Sequence, residues 1–312
     1  MRQHFRALDP AVAIPFTIFT LIWGSTWIVI RDQIGDGASV SPHWSVAYRF
    51  ILAAAGMAVV TMVRGDKLWL GRKGLVPAAI IGLTQFCLNF NCVYLAERHI
   101  TSGLVATFFA LLLIPNAILA FFFLDQRVDR RFGIGSAIAT VGIGLLFTHE
   151  FKLGHASAAD LAVGLTLTLV GMFGASMSNV YQAIEKVRRF PLSPLLFWSM
   201  AIGAVLDAVA ALLMAGPPTF VPRPGYIFGL LYLALAASCL AFSLYFPVVR
   251  KIGPARAAYS SMLVPIIAMA LSTVFEGYRW SLLAGTGAVL ALGGMLVALG
   301  GRKKVIPAPD AA

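Results

Sequence analysis

The chain has 312 residues, 59% hydrophobic and only 12% charged, with a mean hydropathy of +0.85; this excludes an ordinary soluble domain, in which about a quarter of residues carry charge. The formal net charge of +11 does not point to nucleic acid, because no basic face is interleaved with exposed aromatics. The three cysteines, Cys87, Cys92 and Cys239, lie in apolar runs without a CxxC pair, which speaks for packing rather than a disulfide or a metal site.

A helix crosses a bilayer with about 20 mostly apolar residues. Runs of that kind occupy, in chain order, residues 11–30, 44–63, 74–95, 102–124, 132–149, 160–181, 195–215, 226–249, 256–275 and 281–300. They predict an all-α polytopic membrane protein of ten transmembrane helices, with no loop long enough for a soluble domain. Residues 1–10 and 301–312 are polar tails, and the ending "VIPAPDAA" reads as disordered. The apolar part of span 1 is too long for a signal peptide, and no small-residue cleavage site precedes Arg31, so it is expected to stay in the mature protein.

In span 1, Trp23 and Trp27 are four residues apart and share a helix face, with Gly24, Ser25 and Thr26 between them. Span 2 contains Arg49, a cation near the outer end, where it is expected to snorkel to the interface in a structural role rather than clamp a carboxylate. In span 3, Gln85 and Asn89 form a stripe continued by Cys92 and Ala96, with Asn91 on another face. Such amides offer donors and acceptors to a zwitterion; the alternative is that they bond neighbouring helices.

Span 4 carries Phe108, Pro115 and Asn116, span 7 carries Trp198 and Asp207, span 8 Tyr245, and span 9 Tyr259, Ser260, Ser261 and Pro265. Asp207 is the one carboxylate deep in a span, a candidate proton carrier with no basic neighbour visible in the sequence. Trp69, Tyr226, Tyr278 and Trp280 are placed as interfacial anchors. Trp23, Trp27, Tyr94, Phe108, Tyr181, Trp198, Tyr245 and Tyr259 are candidates for a ring-lined interior, against the simpler reading that each packs between helices. The five histidines, His4, His43, His99, His149 and His155, lie in tails, loops or span ends, and no HExxH, GxSxG or Walker pattern occurs. An enzyme is therefore not expected, and neither is a cofactor.

The loops alternate in charge. From the N-terminal tail onward, every second loop is rich in Lys and Arg, eighteen in all against five in the others, which puts both termini in the cytoplasm. A shift of 150 residues superposes Gly24 on Gly174, Pro115 on Pro265, Gly135 on Gly285 and Gly144 on Gly294, and aligns "GIGSAIATVGIGLLF" with "LAGTGAVLALGGMLV". Five spans per half is odd, so the second half enters the membrane from the opposite face. Inverted repeats are a common basis of alternating access. Pro115 and Pro265 break helix hydrogen bonds at matching places, and with Gly24 and Gly174 they are the candidate hinges; the glycines also suit close helix packing.

The stretches "LIWGSTW", "YRFILAAAGM", "YLAERHITSGLVATFFALLLIPNAI" and "YFPVVRKIGPARAAYSSMLVPIIAMALSTVFEGYRWS" together resemble the EamA-type branch of the drug/metabolite transporter superfamily, over nearly the whole chain. Within it, the sequence also resembles the aromatic amino acid exporters. One departure is "LDQR" at 124–127, where many members have Gly-Glu-Arg. The resemblance implies a cytoplasmic tail at 1–10, repeats at 11–150 and 151–300, and a second cytoplasmic tail at 301–312. It also implies a multi-pass protein of the bacterial inner membrane with a small solute and the lipid bilayer as its partners; a monomer is one option, and the sequence does not fix the oligomeric state. The expected activity is secondary export of amino acids, aromatic or large neutral ones favoured. Another metabolite or drug is the alternative solute, and a non-transporting membrane scaffold the alternative class.

Overall fold

The computed structural model describes residues 10–34, 40–125, 130–153, 157–252, 257, 260–275, 277 and 279–299. Tyr259 and Tyr278, all of the N-terminal tail but Pro10, and the whole C-terminal tail lie outside them. The regular secondary structure of the described residues is helical, with no strand among them.

The elements are α1 (Pro10–Ile34), α2 (Pro42–Val63), α3 (Arg72–Ile81, Gly82–Asn89 and Phe90–Ala96), α4 (Ser102–Phe109, Ala110–Leu112 and Leu113–Leu124) and α5 (Arg130–Leu153). After them come α6 (Ala158–Ala183), a single turn Glu185–Arg188, α7 (Leu192–Ala215), α8 (Pro224–Leu231, Tyr232–Leu240 and Ala241–Ile252), α9 (Ser260–Phe275) and α10 (Leu282–Leu299). Local chemistry sets several starts. Ser41 accepts from the backbone N–H of Trp44 at 3.2 Å with Pro42 opening α2, Ser157 accepts from Asp160 N at 3.0 Å at α6, and Pro224 opens α8.

α1 to α4 and α6 to α8 are long and apolar enough to cross a membrane; Leu263–Phe275 and Leu282–Gly294 are shorter apolar helices. Large apolar side chains such as Val63, Phe122, Leu213 and Leu282 stand fully outward. In water that would be an aggregation surface, and in lipid it is the ordinary exterior.

Helix pairing repeats between the halves. α1 packs on α8 and α9, and α6 packs correspondingly on α3 and α4. α2 meets α8 as α7 meets α3, while α2–α7, α4–α9 and α5–α10 join like to like. The α5–α10 seam is the tightest. A methyl group on Gly142 would lie 2.3 Å from Ala291 N, and one on Gly294 would lie 2.3 Å from Ala139 N and 2.5 Å from Gly135 O. The two backbones therefore touch, which in lipid replaces the hydrophobic effect as the source of helix association. Gly144 and Gly285, marked by the same small-residue pattern, have no neighbouring atom within 4 Å of a built Cβ.

Two segments depart from regular α-helix at matching places. Gly82–Asn89 in α3 and Tyr232–Leu240 in α8 are π-wound, their first residues 150 apart, the shift that aligns the repeats. Wider turns free carbonyls for side chains. Ser238 Oγ donates to Leu233 O at 2.8 Å, and the Trp23 indole donates to Ala237 O at 3.1 Å. In α4 the turn Ala110–Leu112 tightens to 3-10 just ahead of Pro115, which has no N–H to offer Leu111 O.

Candidate functional site

The two halves leave between α1, α3, α4, α6, α8 and α9 a partly open cavity of about 130 Å³. Six aromatic rings stand in its wall. Trp23 and Trp27 come from α1, Phe90 from α3, Phe109 from α4, and Phe242 and Tyr245 from α8. Trp23 sits at 4.8 Å from Tyr245 and 5.2 Å from both Phe242 and Phe19, all edge-on or tilted, the arrangement aromatic quadrupoles favour. With its indole also tied to Ala237 O, Trp23 is a fixed panel. Trp27 tilts on Phe109 at 5.4 Å.

The polar part is made of neutral groups. Gln85 and Asn89 reach the cavity from the π-wound stretch of α3, and Asn179 faces them from α6. Asn89 Oδ1 and Trp27 Nε1 are buried without a hydrogen-bond partner. Such groups are rare in a folded chain and need a ligand or water to satisfy them. By contrast Thr26 and Ser260 spend their hydroxyls on Trp23 O and Ala257 O, at 2.8 and 2.9 Å. No charged residue is among the described residues that line this space.

Of the positions singled out in the sequence, Trp23, Trp27, Gln85, Asn89, Tyr245 and Pro265 meet in this cavity. Phe108 is buried beside it while its neighbour Phe109 forms the wall. Trp198 is elsewhere, its indole donating to Leu68 O at 2.8 Å and its ring 5.8 Å from Trp69, which anchors the start of α7. Pro115 lies off the wall, beside the 3-10 turn. Gly24 lets Ile267 of α9 approach, a built Cβ falling 2.7 Å from it, and Gly174 does the same for Thr84 O of α3. Ser25 turns away from the cavity to Tyr232, 2.7 Å between hydroxyls. Asn179, Phe109 and Phe242 were not singled out in the sequence, where none has a distinguishing neighbour. Tyr226, expected at the interface, is buried with its hydroxyl 3.0 Å from Ser45.

Arg49 corrects an expectation. Instead of snorkelling it is 1% exposed, with Nε donating to Ser238 Oγ at 3.1 Å and its guanidinium 4.3 Å from the Phe90 ring centre and 5.4 Å from that of Phe50. The rings and α8 close over the route to the interface, so the side chain pins α2 to the π-wound stretch of α8. A lysine would keep the charge and lose the planar contact and the Nε bond. Arg49→Lys is expected to destabilise the protein by about 1.5–3 kcal/mol, the worth of a hydrogen bond to a charged group, seen as a lower melting temperature in detergent; an unchanged temperature would remove the pin.

Asp207 is fully buried between α7, α2 and α3 and does not line the cavity. At the end where α1 finishes and α8 begins, Asp32 pairs with Arg223 at 2.6 Å, Arg31 donates to Glu97 O, and His99 meets Asp160 at 2.8 Å.

This arrangement has known counterparts. A family model described as the EamA-like transporter family matches the chain twice, over residues 12–148 and 162–300. The chain belongs to the EamA-like transporter family. Among its relatives are the uncharacterized inner membrane transporter YedA of Escherichia coli, 28% identical over 88% of this chain and 86% of that one, and a probable amino-acid metabolite efflux pump of Salmonella typhimurium, 24% identical over 90% and 92%. A solved crystal structure superposes with a TM-score of 0.68 at 20% identity, covering 93% of this chain and 96% of its own, which shows the shared fold. This EamA-like chain is thus a multi-pass inner-membrane transporter and not an enzyme.

Proposed function

We propose that this EamA-like transporter exports amino acids, aromatic or large neutral ones in particular, by alternating access as a secondary carrier. Its two five-span halves are inverted in the inner membrane, with both termini cytoplasmic. The observation that carries the reading is the cavity's make-up: a panel of rings beside neutral amides, with Asn89 Oδ1 and Trp27 Nε1 unsatisfied and no fixed charge among the described residues that line it. A ring-bearing side chain would bury its faces against Trp23, Phe242 and Tyr245. The main-chain carboxylate would accept from Trp27 Nε1 and the amide N–H groups, while the ammonium would donate to Asn89 Oδ1 and the other amide oxygens. A relative named as an amino-acid metabolite efflux pump supports the solute class. The matching helix pairs and π-wound segments of the two halves suit a device in which each half takes up the other's shape.

Counterflow in proteoliposomes containing the pure protein tests this. Labelled phenylalanine, tryptophan or leucine should accumulate transiently against an unlabelled internal pool, and aspartate and lysine should not. Absence of counterflow with every amino acid would sink the solute assignment.

A further inference from the structure

Nothing in the proposed solute site uses Asp207, yet its surroundings are specific. One carboxylate oxygen accepts from Asn91 Nδ2 at 2.7 Å, and the other, Oδ2, is buried without a partner. Asn91 Nδ2 also donates to Cys87 O at 3.0 Å, and its Oδ1 lies 2.8 Å from His43 Nδ1. His43 is half-buried in the first turn of α2. A hydrogen-bonded chain therefore runs from the end of one helix to a carboxyl in the middle of another. The groups facing Asp207 are Cys87, Asn91 and the buried Tyr94 from α3, and His43, through Asn91, from α2. The cation of α2, Arg49, is committed to Ser238 of α8. Among the described residues no Lys or Arg pairs with the carboxyl. Ionisable side chains at this depth are costly to keep and commonly mark proton or ion pathways.

We propose that Asp207 is the site that binds the proton coupling this carrier to a proton gradient, with His43 as its relay to the aqueous face and Asn91 as the bridge between them. The step is a proton transfer alone: the imidazolium of His43 gives its Nδ1 proton to Asn91 Oδ1, Asn91 Nδ2 gives one of its own to the Asp207 carboxylate, the resulting imidic acid reverts to the amide, and a neutral imidazole and a neutral acid remain. α3 links this site to the solute. Asn91 and Cys87 sit on the helix that carries Gln85 and Asn89 into the cavity. With the carboxylate ionised, the bond from Asn91 is charge-assisted, roughly twice as strong as a neutral one, and holds α3 against α7. Protonation weakens that hold and frees the π-wound stretch to move with its amides.

The inference rests on the chain being a carrier, not on which solute it carries, and the two fail separately. In detergent-purified protein, an infrared titration from about pH 9 to pH 5 should raise a protonated-carboxyl stretch that is missing in Asp207→Asn and shifted in frequency in Asp207→Glu. The glutamate variant keeps the test open should the asparagine variant not fold. In proteoliposomes, an imposed proton gradient should multiply solute flux in the wild type, and the ratio of gradient-driven to exchange flux should fall to one in Asp207→Asn. His43→Gln should slow gradient-driven flux by about a hundredfold, the low end of what a positioned acid–base group contributes. An infrared band that persists in Asp207→Asn, or one indifferent to pH in the wild type, would overturn the proposal. Loss of counterflow for every amino acid with the band intact would overturn the solute reading and leave this one standing.

Discussion

Gly294→Val is expected to leave little folded protein. Any side chain at 294 must enter the space held by Ala139 N and Gly135 O, at 2.3 and 2.5 Å from the first added carbon, and both are backbone atoms of a helix that cannot turn aside. The α5–α10 pair must separate, and overpacking of this kind costs at least about 3 kcal/mol, the upper part of the usual range. The same substitution at Gly142 meets Ala291 N and Gly287 O and should behave alike. Gly144→Ala and Gly285→Ala, on faces with open space, should be neutral or raise stability by up to about 1 kcal/mol through helix propensity. Thermal unfolding followed by size-exclusion chromatography separates the two groups. A Gly294→Val protein with the wild-type melting temperature would show that the helices do not meet as described.

Asn89→Ala and Gln85→Ala should each lower amino acid exchange by about ten- to a hundredfold, because the solute's polar groups would then be buried with a hydrogen bond unmade, at a cost of about 1–3 kcal/mol. Asn179→Ala should act the same way from the opposite wall. Substrate-dependent quenching of tryptophan emission reads binding apart from turnover, since Trp23 and Trp27 both face the cavity. Folded variants that exchange at the wild-type rate would return these amides to helix packing.

Much of this arrangement was legible in the sequence, for identifiable physical reasons. The i, i+4 spacing of Trp23 and Trp27, and of Gln85 and Asn89, put each pair on one face, and both pairs reach the cavity. Periodicity did not distinguish Phe108 from Phe109, since the 3-10 turn beginning at Ala110 alters the helical phase at that point. Nor does "GLTQFCLN" carry a mark of π-winding. The winding goes with contacts from other helices: Ser199 O lies 2.7 Å from where a Cβ of Gly82 would be, and in α8 Trp23 and Arg49 bond to Ala237 O and Ser238 Oγ. Arg49 shows the same limit. Its nearness to a span end is a one-dimensional fact, whereas the Phe90 ring and the Ser238 hydroxyl that hold it come from other helices.

The absence of charge among the described residues that line the cavity also bears on what the membrane voltage can do. A voltage does work only on net charge, about 2.3 kcal/mol per elementary charge for each 100 mV. A zwitterion held by neutral amides crosses with none, and the walls that carry it add none. If the solute is the proposed zwitterion and Asp207 carries the proposed proton, the current that accompanies turnover counts those protons, and the ratio of current to solute flux measures how many move with each solute molecule.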